Sequence, residues 1–151
     1  MISTPASHGP VTAMVLSEAT QARFAREVAK YPAEQAIADY LGMPVMAVHE
    51  VTTFYNMYNQ RPVGKFKLNV CTNLPCQLRD GYTALHHLEK KLGVAMGETT
   101  ADGLFTLQQS ECLGACADSP VMLVNDRHMC SFMSNEKLDQ LIDSLRTAAK
   151  A

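Results

Sequence analysis

Long apolar runs are missing from this sequence. No segment reaches the roughly 18 apolar residues that a membrane-spanning helix needs, so direct membrane insertion is not expected. An excess of basic residues is missing too. Lysine and arginine number 13 against 15 acidic residues, for a formal charge of −2. That balance gives no electrostatic reason to expect a nucleic-acid or anionic-membrane partner. Residues Met1 to Leu16 lack a basic segment followed by an apolar one, so no secretory signal is visible and a reducing, cytoplasmic compartment is expected. The chain also lacks a Cys-x-x-Cys dithiol, a glycine-rich phosphate cradle, a nicotinamide-binding fingerprint and a catalytic triad. No independent active site is therefore expected, and the chain itself is not expected to bind NADH or FMN. No internal repeat or low-complexity segment is apparent.

What is present is an ordinary globular composition, 47% hydrophobic and 19% charged over 151 residues. That is enough for one small domain with an extension. Five cysteines are present, and structural disulfides are rare in a reducing compartment. Metal or redox chemistry is the first explanation to consider.

Along the chain, residues 1–15 contain Pro5, Gly9 and Pro10 and read as a flexible tail. Residues 16–64 read as a helical extension. Its first helix begins near Ser17, with Thr20, Phe24, Val28 and Tyr31 as a thin stripe up to Pro32. A second runs over 33–41 with Ile37, Tyr40 and Leu41 as its expected buried face and Gly42 as its stop. Pro44 opens a third, with Val45, Val48, Val51 and Tyr55 on one side. After Gly64 the periodicity changes. Phe66, Leu68 and Val70 alternate with lysines and Asn69, which predicts a strand. A helix over 80–92 follows, with Leu85, Leu88 and Leu92 at helical spacing, then strands near 104–110, 121–124 and 128–132. Ser134 is the expected N-cap of a final helix bearing Leu138, Leu141, Ile142 and Leu145. The order predicts an α/β domain over 65–151.

Cys71 and Cys76 directly follow the first predicted strand, and Cys112 and Cys116 the second. A right-handed crossover through the intervening helix would make these strands parallel. Both cysteine pairs would then leave the same edge of the sheet, where sites form in α/β folds. Two loops with two thiolates each suit a two-iron cluster, in which each iron takes two cysteine sulfurs. Gly114 and Ala115 are small enough for the backbone to bend close to inorganic sulfur, and backbone N–H groups there would bond to the sulfurs. Pro75 and Pro120 stiffen the flanks. On spacing alone, a structural zinc site remains an alternative. Cys130 has no partner in its strand-like stretch and reads as a core thiol.

The stretches Cys71-Thr-Asn-Leu-Pro-Cys76, Gly97-Glu-Thr-Thr-Ala-Asp-Gly-Leu-Phe105 and Glu111-Cys-Leu-Gly-Ala-Cys116-Ala-Asp-Ser-Pro120 resemble the 24-kDa-type subunit (the E subunit in bacteria) of NADH:quinone oxidoreductase, respiratory complex I. Tyr40-Leu-Gly-Met-Pro44, Thr53-Phe-Tyr55 and Pro62-Val-Gly-Lys65 strengthen the likeness, which covers nearly all of 30–147. The resemblance implies a thioredoxin-like [2Fe–2S] ferredoxin domain with Cys71, Cys76, Cys112 and Cys116 as ligands of one cluster. It also implies docking to a flavoprotein subunit that carries FMN and oxidises NADH, among other peripheral-arm subunits, in an assembly peripheral to the inner membrane. NAD-linked formate dehydrogenases and NAD-reducing hydrogenases use similar subunits and are the alternative assemblies. Ala33–Ile37 joins Lys30-Tyr31-Pro32 to Ala38–Gly42 more directly than is usual in the family, as though a helical segment were shortened.

Several features receive plainer readings. His86 and His87 are expected to be solvated, His49 to be a partner contact or a partly buried polar group, and Asp118 to sit beside the second cysteine pair. The cluster Thr53–Tyr58 reads as core packing between the helices and the following domain, with a partner surface as the alternative. Residues 36–42 and 44–55 have helix-turn-helix spacing, but the second helix carries no lysine or arginine. A DNA-binding regulator is accordingly not expected.

Overall fold

A computed structural model describes residues 17–28 and 30–150. The tail expected over 1–15 and the side chains of Phe24 and Val28 lie outside the described residues. The chain forms two compact units, Met1–Phe54 and Tyr55–Ala151.

The first unit carries helices α1 (Glu18–Val28), α2 (Pro32–Leu41) and α3 (Val45–Phe54). Pro32 begins α2, where its missing N–H costs nothing. The buried stripe of α2 is not the apolar one. Ile37, Tyr40 and Leu41 are 46%, 89% and 59% exposed, while Glu34 and Ala38, one turn apart, are buried. The Glu34 carboxylate accepts hydrogen bonds from His49 Nδ1 at 2.8 Å and from the Thr52 hydroxyl, both on α3. The α2–α3 contact is therefore built around a satisfied buried carboxylate, with Ala38 small enough for close approach. His49 is accordingly a half-buried structural group, packed beside the Tyr31 ring at 5.2 Å. On α3, Val48 is buried but Val51 is exposed.

The second unit is a four-stranded sheet, β1 (Phe66–Cys71), β2 (Phe105–Ser110), β3 (Met122–Val124) and β4 (His128–Cys130), in the order β2-β1-β3-β4. β1 and β2 are parallel, with Phe66 opposite Phe105 and Cys71 opposite Ser110. β3 runs antiparallel to β1, and β4 to β3. Helix α4 (Leu74–Gln77) is a single turn; α5 (Gly81–Leu92) and α6 (Asn135–Lys150) are longer. Ser134 Oγ accepts from the Lys137 N–H at 3.4 Å, the expected cap. The sheet's apolar face meets α5 and α6. Leu68 and Val70 pack with Phe105, Leu107, Leu88 and Ile142, all at most 2% exposed. Each fully buried side chain of this size contributes about 1.5–3 kcal/mol.

The opposite face of β1 is also covered, but by polar groups. Lys67 and Asn69 are buried. Lys67 Nζ lies 2.6 Å from Asp126 Oδ2 and donates to Asn59 Oδ1 at 2.9 Å, while Asn69 Nδ2 donates to Asp126 Oδ1 at 2.5 Å. In the second unit α5 and α6 fill the apolar face and the other face offers polar partners, so Tyr55, Met57 and Tyr58, expected in core packing, are 50–58% exposed. His87 also departs from expectation. It is half-buried, 2.9 Å from Asp139 Oδ1, because α6 lies against α5. His86 is exposed as expected.

Candidate metal centre

Parallel β1 and β2 end level with each other, and the Thr72 N–H donates to the Ser110 carbonyl at 3.1 Å just beyond them. The two cysteine loops therefore start side by side. Cys71 is the last residue of β1, with its N–H bonded to the Val121 carbonyl at 3.1 Å. Asn73 then precedes α4, with Pro75 in its first turn, and this one turn carries Cys76. Periodicity does not predict so short a helix, although an asparagine two residues ahead of a proline is a helix-start signal. Cys71 and Cys76 are each 1% exposed, packed with Val121, Leu113 and Ala115.

The second pair lies in the loop after β2. Gly114 adopts φ +78°, a left-handed conformation that suits glycine. The chain thereby turns back, and the Gly114 N–H points at Cys112 Sγ at 3.4 Å, the backbone-to-sulfur contact anticipated from sequence. A 3₁₀ turn over Cys116–Asp118 closes the loop. Cys112 Sγ and Cys116 Sγ stand 3.6 Å apart. Two sulfurs on one tetrahedral metal with bonds of about 2.3 Å would be about 3.8 Å apart, so this pair already has the spacing of two ligands on one ion.

The two loops are bonded to each other. Asn73 Nδ2 donates to Glu111 Oε2 at 3.1 Å and Arg79 Nη1 to the Ala117 carbonyl at 2.8 Å, and Gln109 Nε2 donates to the Thr72 hydroxyl. Asp118 accepts from the Ser131 hydroxyl at 3.2 Å, so it braces the turn that bears Cys116. Two residues that the sequence does not single out complete the frame. Gly81 is buried, and a Cβ there would stand 2.8 Å from the Cys76 carbonyl oxygen and 3.1 Å from that of Cys71. Ser119 is buried with its hydroxyl 3.1 Å from Cys76 Sγ. A glycine at a helix start gives little sequence signal of such an approach, and a serine next to a proline gives none.

Electrostatically the four thiols form one group. Burial pushes the Cys71 thiol up, opposed by the backbone N–H groups of Asn73 and Leu113, one from each loop, with Cys76 adding to the rise. The Cys116 thiol is raised first by its hydrogen bond with Cys112, then by burial and by the charges of Cys112 and Cys76. These effects favour the protonated thiols of Cys71 and Cys116; a metal cation reverses that balance by deprotonating the thiols it binds. Cys130 stands apart. It is half-buried against the main core, and burial raises its thiol. The parallel β-α-β unit presents two thiol-bearing loops at one sheet edge, with the Cys112 and Cys116 sulfurs at metal-ligand spacing, while among the described residues no three potential ligands already converge on one ion; a donor set of two thiols from each loop suits a cluster of two irons.

The chain belongs to the thioredoxin-like [2Fe–2S] ferredoxin family, whose model matches residues 11–146. It is 45% identical over 112 residues to the E subunit of the NADH-quinone oxidoreductase of Rickettsia felis, covering 74% of this chain and 66% of that one. It is 41% identical over 119 residues to the second E-type subunit of the NADH-quinone oxidoreductase of Rhizobium meliloti, covering 79% and 70%. The chain thus spans about two thirds of the length of these curated relatives. An NAD+-reducing [NiFe]-hydrogenase in the air-oxidised state shares the fold, with a TM-score of 0.67 at 18% identity over 85% of this chain and 22% of the hydrogenase chain. Family membership favours an iron–sulfur cluster over the zinc alternative, and the relatives are subunits of an oxidoreductase. Among the described residues, no helix is long and apolar enough to cross a membrane.

Proposed function

We propose that this chain is an electron-transfer subunit of an NADH-quinone oxidoreductase, holding one [2Fe–2S] cluster on Cys71, Cys76, Cys112 and Cys116. The observation that carries this reading is the level pairing of Cys71 with Ser110 across parallel strands, which starts both cysteine loops at one edge of one rigid sheet. When bound, the cluster supplies one-electron exchange. The chain's own residues do the rest. Cys71 and Cys76 offer a buried pair of thiolates, and Cys112 and Cys116 a more exposed pair, 3.6 Å apart. The Gly114 N–H donates to a ligand sulfur, and such bonds help to set a cluster's potential. Exposure of Cys112 leaves the site open to a partner's surface.

That partner, in this reading, is a flavoprotein subunit whose FMN takes electrons from NADH, within a larger assembly peripheral to the membrane in the cytoplasm. The identity to the E subunits of two bacteria supports this assembly over a formate dehydrogenase or a hydrogenase. The test mixes the iron-loaded chain with the flavoprotein subunit of the same source and adds NADH. Appearance of this chain's reduced-cluster EPR signal with the flavoprotein present, and none in its absence, is the expected result. Reduction by NADH alone, or no such signal in the mixture, would contradict the proposal.

A further inference from the structure

Ser119 stands between the two cysteine loops. It follows the Cys116–Asp118 turn and is 3% exposed. Its hydroxyl donates to the Cys116 carbonyl oxygen at 2.8 Å, while its Oγ also lies 3.1 Å from Cys76 Sγ on the other loop. Cys76 is itself 1% exposed, so water does not compete for this contact. A sulfur that binds metal has lost its proton. On the line from Oγ to a ligating Sγ, the only hydrogen left is then the serine's, and a hydroxyl hydrogen rotates to suit its acceptors.

We infer that Ser119 is a positioning residue that hydrogen-bonds the Cys76 sulfur and holds the bound cluster at a higher reduction potential than the same scaffold would without the hydroxyl. This rests on the proposal that the four cysteines hold the cluster. Reduction by one electron adds negative charge that spreads onto the sulfurs. A hydrogen bond to an anionic acceptor is about twice as strong as a neutral one, and the buried setting strengthens it further. The bond therefore favours the reduced form over the oxidised one. The hydroxyl has a single hydrogen: it donates to the Cys116 carbonyl in this structure, and the inferred bond turns it from that oxygen to the Cys76 sulfur 3.1 Å away. A residue that merely closed the turn would affect stability and leave the potential where it was.

The experiment uses the full chain loaded with iron and sulfide, in wild-type, Ser119→Ala and Ser119→Thr forms, titrated with dithionite and redox dyes and followed by EPR. Loss of the hydroxyl is expected to lower the reduced-to-oxidised ratio at fixed potential about tenfold, equivalent to ~59 mV for a one-electron couple. Threonine keeps the hydroxyl. Its midpoint is expected to stay at the wild-type value. After exchange into D2O, pulsed EPR is expected to show, beside the couplings of backbone amides such as that of Gly114, one further deuterium coupling in the wild-type and threonine chains that the alanine chain lacks. If Ser119→Ala does not fold, Ser119→Gly removes the same hydroxyl and is read in the same way. A hydroxyl-free chain that keeps its iron, its midpoint and its deuterium coupling overturns this inference alone. A wild-type chain that takes up no iron and sulfide overturns the ligand assignment together with it.

Discussion

Replacing Gly81 with alanine puts a methyl group where the backbone of the first cysteine loop already runs. The added Cβ would stand 2.8 Å from the carbonyl oxygen of Cys76, 2.9 Å from its carbonyl carbon and 3.1 Å from the carbonyl oxygen of Cys71. Carbon contacts are comfortable from about 3.5 Å, so the loop has to retreat by roughly half an ångström. The obstructing atoms are backbone, which no rotamer change moves aside. Overpacking of this kind costs about 1–3 kcal/mol. Against it stands the preference for alanine over glycine in a helix, at most about 1 kcal/mol and less at the first helical position. The net is about 1–2 kcal/mol of destabilisation, which lowers Tm by roughly 5–10 °C in a domain of this size. The assay is thermal unfolding of the metal-free chain by circular dichroism, paired with visible absorption of the loaded chain, because the displaced residues carry two of the proposed ligands. A Gly81→Ala chain that melts at or above the wild-type temperature would refute the close approach of α5 to the loop.

Cys71→Ser and Cys112→Ser are each expected to abolish or alter the visible and EPR spectra, because a serine oxygen suits iron less well than a thiolate; Cys130→Ser, at a residue that packs against the main core and not with Cys71 and Cys76, should leave both unchanged. Asp126→Asn, which keeps a residue that tolerates the φ of +55° there, deprives the buried Lys67 ammonium of its counter-charge and is expected to cost about 3 kcal/mol by urea unfolding. Lys67→Met should cost less, because the Asp126 left behind is part-exposed and can be hydrated. His87, followed by Lys91, holds the Asp139 carboxyl below the usual carboxylate range. Its folded value lies under its unfolded one, so this contact stabilises at neutral pH and fades as pH falls below about 4. An NMR titration of Asp139 should show a midpoint below that of free aspartate, and one at or above it would contradict the pairing.

Much of the site is legible in the amino-acid order alone, because it depends on strand ends. The alternation of Phe66, Leu68 and Val70, the helical leucines Leu85 and Leu88, and the second alternating run at Phe105 and Leu107 together define a parallel β-α-β unit, and the cysteines follow its strands directly. What stays hidden is decided by tertiary partners. The stripe Ile37, Tyr40 and Leu41 has the better apolar period, yet Glu34 takes the buried side because His49 and Thr52 lie opposite it on α3. Lys67 and Asn69 look like the wet side of a strand, and the cost of their burial is offset by Asp126, almost sixty residues away, with Asn59 as a further partner of Lys67. Gly81 and Ser119 matter through close contacts with the cysteine loops, and such contacts leave no periodic trace.

The most direct measurement counts iron and acid-labile sulfide in the anaerobically purified full chain and records EPR after dithionite reduction. The account predicts equal amounts of the two, two of each per chain, with one reduced-cluster signal that is lost or altered when any one of Cys71, Cys76, Cys112 or Cys116 is replaced. Zinc in place of iron, or a signal that survives the loss of one of these cysteines unchanged, would contradict it.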